Sequence, residues 1–269
     1  MGNFRENTYV LMMGYRQELA KALEKYKVKY SIVTNKPLKK RPKHVDQIIL
    51  SEFNEEVVSE IAELKIKPTH VIAGVEAAVY PASRIRKHFM ARLSEDTLVR
   101  RCSNKAEMKY YLWQKQIPMT SFVLSKPNLS SDEIIENLSL PVVVKKILGS
   151  GGRDLVLCKN KDALEKHLGK DLIYESFIDA AEGSVESFVN KGQILFTNVT
   201  EYYVKGHCNV VPAGYSQEEI EKILELNQMV LKKLRVSWGL THMEFYRHKK
   251  GLLFGEIAIR PPGGYIMKL

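Results

Sequence analysis

Two glutamates near the end of the 269-residue sequence are spaced so that one hairpin would bring their carboxylates together. Glu244 lies in the strand-like run THMEFY and Glu256 in LLFGEIAI, and the turn HKKG between them ends in glycine. Each is six residues from Lys250, so a turn centred there sets them opposite each other, about 4.5 to 5.5 Å apart at Cβ. Such close carboxylates repel unless a cation or a proton lies between them. The spacing predicts a site for a hard divalent cation such as Mg²⁺. Two glutamates facing water on an exposed hairpin are the alternative.

Positive charges near glycine-rich segments point to an anionic ligand. Arg260 opens the run RPPGG, which combines a fixed charge with a loop that a ligand can approach closely. Upstream, a β-branched strand ends at Lys145 and Lys146, the loop GSGGR follows, and a second strand begins. Glycine lets backbone N–H groups approach a phosphate, and the cations balance its charge. A Walker A loop is excluded because a strand, not a helix, follows. A purely structural glycine hairpin is the alternative.

Composition limits the partners. The 41 Lys and Arg against 31 Asp and Glu give a net charge of +10, which makes a polyanion a candidate. However, the densest basic run, KPLKKRPK, has no interleaved aromatic residues and no nucleic-acid motif, so nucleic acid is not an expected partner. The sequence has no run of about 20 apolar residues and no signal peptide, so we expect a cytoplasmic protein with no membrane partner. The three widely spaced cysteines predict free thiols.

The first hundred residues alternate between strand and helix patterns, which predicts a parallel α/β sheet. The predicted strands cover residues 8–13, 29–34, 48–51 and 69–73. No G-x-G-x-x-G follows the first strand, so a dinucleotide site is not expected. Gly74 to Ala77 follow the fourth strand, where open α/β sheets bind ligands. Glu76 there is either a ligand-side residue or an ordinary carboxylate at a helix start.

The remaining sequence predicts further helices around an antiparallel meander. A capped helix is predicted over 105–116, with Met108 and Leu112 facing inward and Trp113 as a further candidate. A second, over 217–235, begins with a Ser216–Glu219 capping box and carries a long apolar stripe, which indicates a core helix. The meander runs from 182 to 203.

Taken in order, these features resemble the ATP-grasp superfamily, and within it the carboxylate–amine ligases of the amino-acid ligase and carnosine synthase type. The resemblance implies an α/β (α+β) fold, in which an N-terminal Rossmann-like parallel domain precedes two α+β subdomains that grip ATP. The implied domains are residues 1–102, a lid subdomain at 103–170 that contains the glycine-rich loop, and a large subdomain at 171–269. The resemblance implies ATP and Mg²⁺ as cofactors, and Mn²⁺ is compatible with the same ligands.

The resemblance also assigns roles to matching positions. Those that match nucleotide-binding residues are Lys105, Lys145, Gly149, Ser150, Gly151, Gly152, Glu175, Ser176, Phe177 and Glu182. Among them the lysines would hold phosphates, the glycine loop through Arg153 would act as a flap, residues 175–177 would contact adenine, and Glu182 the ribose. Glu244 and Glu256 match the metal ligands. Arg260 and Lys145 match the catalytic positions, where Arg260 would steady the γ-phosphate or an acyl phosphate.

The implied reaction joins a small-molecule carboxylate to an amine, with amino acids as candidates, through an acyl phosphate that forms as ATP becomes ADP. Many relatives carry Asn where this sequence has Ala258, which affects a second Mg²⁺ site. Relatives also usually continue beyond the region where this sequence stops, so we expect a truncated large subdomain. Both departures leave a non-catalytic or regulatory ATP-binding protein as the alternative. A homodimer is compatible with the sequence, which does not specify an oligomeric state.

Two histidines receive structural interpretations. His207, in the run YVKGHCN, is expected to be a surface-loop residue without a role. The alternative is that it contacts the substrate carboxylate or acts as a base for the amine. His242, two residues before Glu244, is expected to pack beneath the strand that carries the metal ligand.

Overall fold

The first sheet is parallel, as the alternation of strands and helices predicts. The computed structural model describes residues 7–64, 67–89, 96–149, 155–204, 206–263 and 266. The first strands and helices are β1 (Tyr9–Met13), α1 (Gln17–Lys25), β2 (Lys29–Thr34), β3 (Ile48–Leu50), α2 (Glu56–Glu63), β4 (His70–Ala73) and, after a single 3-10 turn, α3 (Val79–His88). The strands lie in the order β3-β2-β1-β4. The chain therefore builds outward from β1 in both directions, and the strand order reverses between β1 and β4.

The second sheet is small and antiparallel. Its helices and strands, with the two helices that lead into it, are α4 (Asp96–Ser103), α5 (Lys105–Gln114), β5 (Phe122–Leu124), α6 (Ser131–Leu138), β6 (Val142–Lys146), β7 (Val156–Cys158), α7 (Lys161–Glu165) and β8 (Leu172–Ser176). The strand order is β5-β8-β6-β7. Because β8 pairs with both β5 and β6, this sheet extends past residue 170, where the sequence placed a subdomain boundary.

The third sheet is an antiparallel meander closed by the predicted hairpin. Its elements are β9 (Ala181–Asn190), β10 (Gln193–Val204), β11 (Cys208–Val210), α8 (Gln217–Leu234), β12 (Trp238–His248) and β13 (Gly251–Ala258). The strand order is β11-β10-β9-β12-β13. Helix α8 begins at the predicted Ser216–Glu219 capping box, and its apolar stripe packs against the apolar face of the sheet together with residues of α4 and α5. The opposite face carries the polar residues described below.

A β-bulge at Gly255 determines which way Glu256 points. The turn contains only Lys249 and Lys250, so a regular hairpin would pair Glu244 with residue 255. The observed register shifts after the Phe245–Phe254 pair, and Glu244 lies directly opposite Glu256. Phe254 remains fully buried in the core, while Glu256 points to the open face. The predicted pairing is confirmed, but it arises from a shorter turn plus one extra residue rather than from a turn centred on Lys250.

Substituting the bulge residue is expected to destabilise the hairpin. A Cβ added at Gly255 would lie 3.1 Å from the backbone oxygen of Glu244, so Gly255→Val should lower the free energy of unfolding by about 1 to 3 kcal/mol. Gly263→Ala is the matched control, because a Cβ there meets nothing within 4 Å. Urea unfolding of both variants checks this. Equal stabilities would show that the close approach has no energetic consequence.

Helix α5 begins where predicted, because the Asn104 side chain accepts a hydrogen bond from the Glu107 N–H at 3.0 Å. Met108 and Leu112 are buried, but Trp113 is 58% exposed, so its assignment to the inner face was wrong. The helix turns by about 100° per residue, and that rotation places Trp113 beside the buried stripe rather than within it. No helix in the described part of the chain is both long and apolar enough to cross a membrane.

Candidate active site

The two predicted metal ligands face each other on the open side of the third sheet. Glu244 and Glu256 are a directly opposed cross-strand pair. The Lys105 ammonium at the start of α5 lies 3.3 Å from Glu256 Oε1 and donates a hydrogen bond of 2.7 Å to the Gly149 carbonyl. Burial raises the pKa of Glu256, Lys105 opposes that shift, and the charge of Glu244 adds to it. This carboxylate pair therefore fits a cation, and in this structure the lysine supplies part of the compensating charge.

A hard divalent cation fits these carboxylates on chemical grounds, since both offer only oxygen. Across residues 7–64, 67–89, 96–149, 155–204, 206–263 and 266, no three or more His, Cys, Asp or Glu residues form a group suited to holding a metal. The pair alone therefore leaves coordination positions that a ligand's own oxygens would fill, as phosphate oxygens do for Mg²⁺.

Lys145 and Glu175 form the centre of a buried ion-pair cluster. Lys145 Nζ donates to Glu175 Oε2 at 3.1 Å, and the same oxygen lies 3.3 Å from Lys109 Nζ. Thr120 joins the cluster, with its hydroxyl 3.0 Å from Lys109 Nζ. Although burial acts to raise it, the two lysines lower the pKa of Glu175 to about 2. The pKa of Lys145 is raised, because Glu175 outweighs the effect of burial. Burial lowers the pKa of Lys109, and the charge of Glu175 opposes that shift. Lys145 therefore has its ammonium at the site.

The sequence did not single out Lys109. It follows Lys105 by four residues on α5, so both side chains lie on one face of the helix. Its polar partners Thr120 and Glu175 come from distant segments. The i, i+4 spacing of Lys105 and Lys109 is the sequence signal that could have identified this residue.

The predicted adenine segment uses its polar side chains for internal contacts. The Glu175 carboxylate is held by the lysines, and Ser176 Oγ donates to the Leu138 carbonyl at 3.1 Å. The Phe177 N–H donates to the Pro141 carbonyl at 3.1 Å, while its ring is exposed. This arrangement suits recognition of a base through the backbone and the Phe177 ring rather than through the carboxylate of Glu175. The assignment of this segment to adenine remains a prediction.

Glu182 lies on the same face of the sheet as the glutamate pair. Its register partner on β12 is Tyr246, which is two residues from Glu244 and therefore on the same face. Burial raises the pKa of Tyr246, Lys145 opposes the shift, and the charges of Glu175 and Glu182 add to it. The Tyr246 phenol therefore lies among the groups predicted to hold the nucleotide, and strand alternation from Glu244 was the signal that would have identified it.

A hydrogen-bonded histidine supports Glu244. His242 Nδ1 lies 2.9 Å from Glu186 Oε1, and His242 Nε2 lies 3.4 Å from Glu244 Oε1. Burial acts to lower the pKa of His242, but its hydrogen bonds to the two carboxylates raise it to about 9. Ser184 and Thr200 donate to Glu186 at 2.6 and 2.7 Å, so its position is fixed. The expectation that His242 packs beneath the strand was wrong, because the residue alternates in phase with Glu244 onto the open face. His207 is exposed, as expected.

Arg260 connects the hairpin to the first sheet. Its Nε donates to Glu76 Oε2 at 2.6 Å, and a terminal nitrogen donates to the Pro261 carbonyl at 2.9 Å. Ala258 is buried and pairs with His242 across the hairpin. Gly149 has a φ of 135°, a conformation that favours glycine. The other predicted loop residues, Ser150, Gly151, Gly152 and Arg153, lie outside the described residues.

The site therefore assembles most of the predicted residues from all three sheets. The structure brings Lys105, Glu244 and Glu256 together, Lys145 together with Glu175, and Arg260 together with Glu76. Their roles toward a nucleotide or a metal remain predictions.

Comparisons with known proteins identify the architecture. Residues 102–201 match the RimK-like ATP-grasp domain. The chain is 27% identical over 227 residues to the L-arginine-specific L-amino acid ligase of Bacillus subtilis, a match that covers 77% of this chain and 55% of the relative. The chain spans about half the length of the curated relatives it matches.

Solved structures show the same fold. An L-amino acid ligase from Bacillus licheniformis superposes with a TM-score of 0.80 at 19% identity, over 97% of this chain and 69% of that one. An N5-carboxyaminoimidazole synthetase from Staphylococcus aureus, solved as a complex with ADP, superposes with a TM-score of 0.79 at 18% identity, over 98% of this chain and 73% of that one. The predicted fold class is confirmed.

Proposed function

Because this chain has the ATP-grasp fold and carries a RimK-like ATP-grasp domain, we propose that it is an ATP-dependent ligase that joins a carboxylate to an amine. The observation that carries the proposal is the opposed Glu244–Glu256 pair, with the ammonium groups of Lys105 and Lys145 on the same side of the site. Carboxylates that hold a divalent cation beside lysines that hold phosphates are the parts that phosphoryl transfer requires.

The reaction proceeds in two displacements. A substrate carboxylate oxygen attacks the γ-phosphorus of ATP, the bond to the β–γ bridging oxygen breaks, and ADP leaves. The amine nitrogen then attacks the acyl carbon, the carbon–oxygen bond to phosphate breaks, and the nitrogen loses a proton as the amide forms. No side-chain nucleophile is needed. Bound Mg²⁺ held by Glu244 and Glu256 would neutralise charge on the transferring phosphoryl group.

The chain's own residues bind and orient. Lys105 and Lys145 place positive charge against phosphoryl oxygens, and Lys145 is held in position by Glu175. Arg260, which is held by Glu76, would steady the acyl phosphate through its guanidinium. Glu182 and Phe177 provide the ribose and adenine contacts.

The substrates are small molecules, and amino acids are the first candidates. The Bacillus subtilis relative is named for an amino acid, and both ligases reported above act on compounds of that class. A protein that uses ATP and Mg²⁺ in this way would work in the cytoplasm. A homodimer remains the simplest assembly to test by light scattering.

An acyl-phosphate trap tests the proposal. The protein is incubated with ATP, Mg²⁺, a pool of the twenty L-amino acids and a pool of small carboxylic acids, with and without hydroxylamine. We expect ADP release that depends on the pools, and a hydroxamate that forms when hydroxylamine intercepts the acyl phosphate. ATP binding without ADP or hydroxamate in any pool would contradict the proposal and favour a non-catalytic ATP-binding protein.

Replacing His242 is expected to weaken the binding of Mg²⁺ specifically. The His242→Gln variant loses a charged group that fixes the Glu244 carboxylate, so the Mg²⁺ concentration for half-maximal ADP formation should rise about 10- to 100-fold. The exposed His167→Gln is the control and should behave as the unaltered protein. An unchanged Mg²⁺ requirement in His242→Gln would show that Glu244 does not depend on the histidine.

A further inference from the structure

The connections that follow β1 and β4 meet where the strand order of the first sheet reverses. Strands β1 and β4 are neighbours, and β1 leads through α1 to β2 on its other side. In open α/β sheets, such a point at the carboxyl ends of the strands is where ligands bind. Here the two strands are followed by Gly14 and Gly74, and a Cβ on Gly74 would lie 2.2 Å from the Gly14 carbonyl oxygen. The two connections are therefore in close contact, and Arg16 and Glu76 lie just beyond them.

Arg16 is the first charged residue after β1. Its Nε donates to the Gly74 carbonyl at 2.6 Å, which holds the guanidinium against the connection after β4. Among the described residues, its two terminal nitrogens have no hydrogen-bond or ion-pair partner. The guanidinium is half-buried, and burial together with the positive charge of Arg260 lowers its pKa. The terminal nitrogens carry four N–H groups, which a ligand's oxygens can accept.

Arg260 reaches the same region from the hairpin. It is bound to Glu76, which lies two residues beyond Gly74, and the side chains of Arg260 and Glu76 are only 12% and 22% exposed. Glu76 pairs with Arg260, and the charge of Glu18 acts on Arg16 from α1. The terminal nitrogens of Arg16 can donate to a ligand carboxylate. The planar fork of a guanidinium also matches the two oxygens of a carboxylate.

We propose that Arg16 is a substrate-binding residue, which together with Arg260 holds the carboxylate of the acyl donor at the junction of β1, β4 and the hairpin. This inference rests on the proposed ligase function and adds the group that recognises the substrate. It places the acyl donor against the N-terminal sheet and leaves Lys105 and Lys145 for the phosphates. The ligand class is a small molecule with a free carboxylate, and α-amino acids meet that requirement.

Kinetics with three variants test the assignment. Arg16→Gln removes the charge and the fork, Arg16→Lys restores the charge alone, and Lys87→Gln removes one exposed charge from the same domain as a control. With the best donor from the pools, Arg16→Gln should raise the KM for the donor about 10- to 100-fold while the KM for ATP changes less than about threefold. Arg16→Lys should recover part of the loss, and Lys87→Gln should match the unaltered protein. A raised KM for ATP with an unchanged KM for the donor would overturn the proposal and assign Arg16 to the nucleotide.

A direct binding measurement separates this site from the overall function. Saturation-transfer NMR with the amino-acid pool and the carboxylic-acid pool, without nucleotide, should show signals from the bound donor that are lost in Arg16→Gln and retained in Lys87→Gln. If Arg16→Gln loses those signals but the unaltered protein forms no ADP, the binding site is supported and the proposed ligase function is contradicted. If ADP forms and Arg16→Gln changes neither the signals nor the KM for the donor, the site is overturned and the function stands. Absence of signals from every pool member with the unaltered protein also overturns the site.

Arg16 also tethers the Gly74 carbonyl, so the variants must be shown to fold. Melting temperatures of Arg16→Gln and Arg16→Lys should both lie close to that of the unaltered protein. A purely structural tether would instead lower the stability of both variants while leaving the KM for the donor unchanged, and this outcome counts against the proposal.

Discussion

Glu256→Gln is expected to reduce Mg²⁺-dependent ADP formation about a thousandfold, which corresponds to about 4 kcal/mol of transition-state stabilisation. The substitution keeps the side-chain shape but removes one of the two opposed carboxylates that fit a divalent cation. ADP release at saturating ATP and donor, measured over a range of Mg²⁺ concentrations, checks the prediction. Glu225→Gln, on the exposed side of α8, should leave the rate unchanged.

The same variant has a second, opposite effect on nucleotide binding. Without Mg²⁺, the Glu256 carboxylate repels phosphates, so Glu256→Gln should bind ATP at least as tightly as the unaltered protein in metal-free buffer. Calorimetric titration with and without Mg²⁺ separates the two effects. If ATP affinity were lost equally in both buffers, Glu256 would support the pocket structurally and would not act as a metal ligand.

Glu175→Gln is expected to lower the free energy of unfolding by about 3 to 5 kcal/mol, because it leaves two buried or nearly buried ammonium groups without their counter-charge. Denaturant unfolding at pH 7 measures the loss. The double variant Glu175→Gln with Lys109→Met removes the more deeply buried cation as well, and it should recover part of the stability. If Lys109→Met lowered the free energy of unfolding by the same amount in Glu175→Gln as in the unaltered protein, the two residues would be energetically independent.

The contribution of Glu175 also depends on pH in a defined direction. Its pKa falls from 4.5 in the unfolded chain to about 2 in the folded protein, so the unfolded state takes up a proton first as the pH falls. The stabilisation, about 3 kcal/mol, is therefore complete above about pH 4.5 and lost between about pH 4.5 and 2. The stability difference between the unaltered protein and Glu175→Gln should narrow over that interval. A constant difference would mean that Glu175 is not ionised in the fold.

Sequence patterns predicted those features that depend on local order along the chain. The parallel sheet follows from strand–helix alternation, the start of α8 from its capping box, and the Glu244–Glu256 pair from its position about a turn. The bulge at Gly255 was not predicted, because an extra residue in a strand has no signature apart from a glycine that interrupts the apolar alternation. The predicted pairing was still correct, because the turn is shorter than expected and the extra residue in the bulge restores the register.

Contacts between segments that are far apart in the sequence could not be predicted from it. Lys109 meets Glu175 across 66 positions of the numbering, and His242 meets Glu186 across 56. No local pattern marks such pairs, since any lysine or glutamate on the correct face would look the same. The proximity of Glu76 to Arg260 likewise required the three-dimensional arrangement, although the position of Glu76 after β4 had marked it as a candidate.

The Glu175 cluster limits how the second and third sheets can move relative to each other. Lys109 lies on α5, whose apolar residues belong to the core of the third sheet, whereas Glu175 and Lys145 belong to the second sheet. The Lys109–Glu175 ion pair therefore joins two bodies at a point almost without solvent. Pulling these bodies straight apart would separate buried charges at a cost of several kcal/mol. A rotation that keeps this pair intact avoids that cost. We therefore expect any rigid-body movement of the second sheet against the third to rotate about Glu175, with the edge strand β7 travelling furthest.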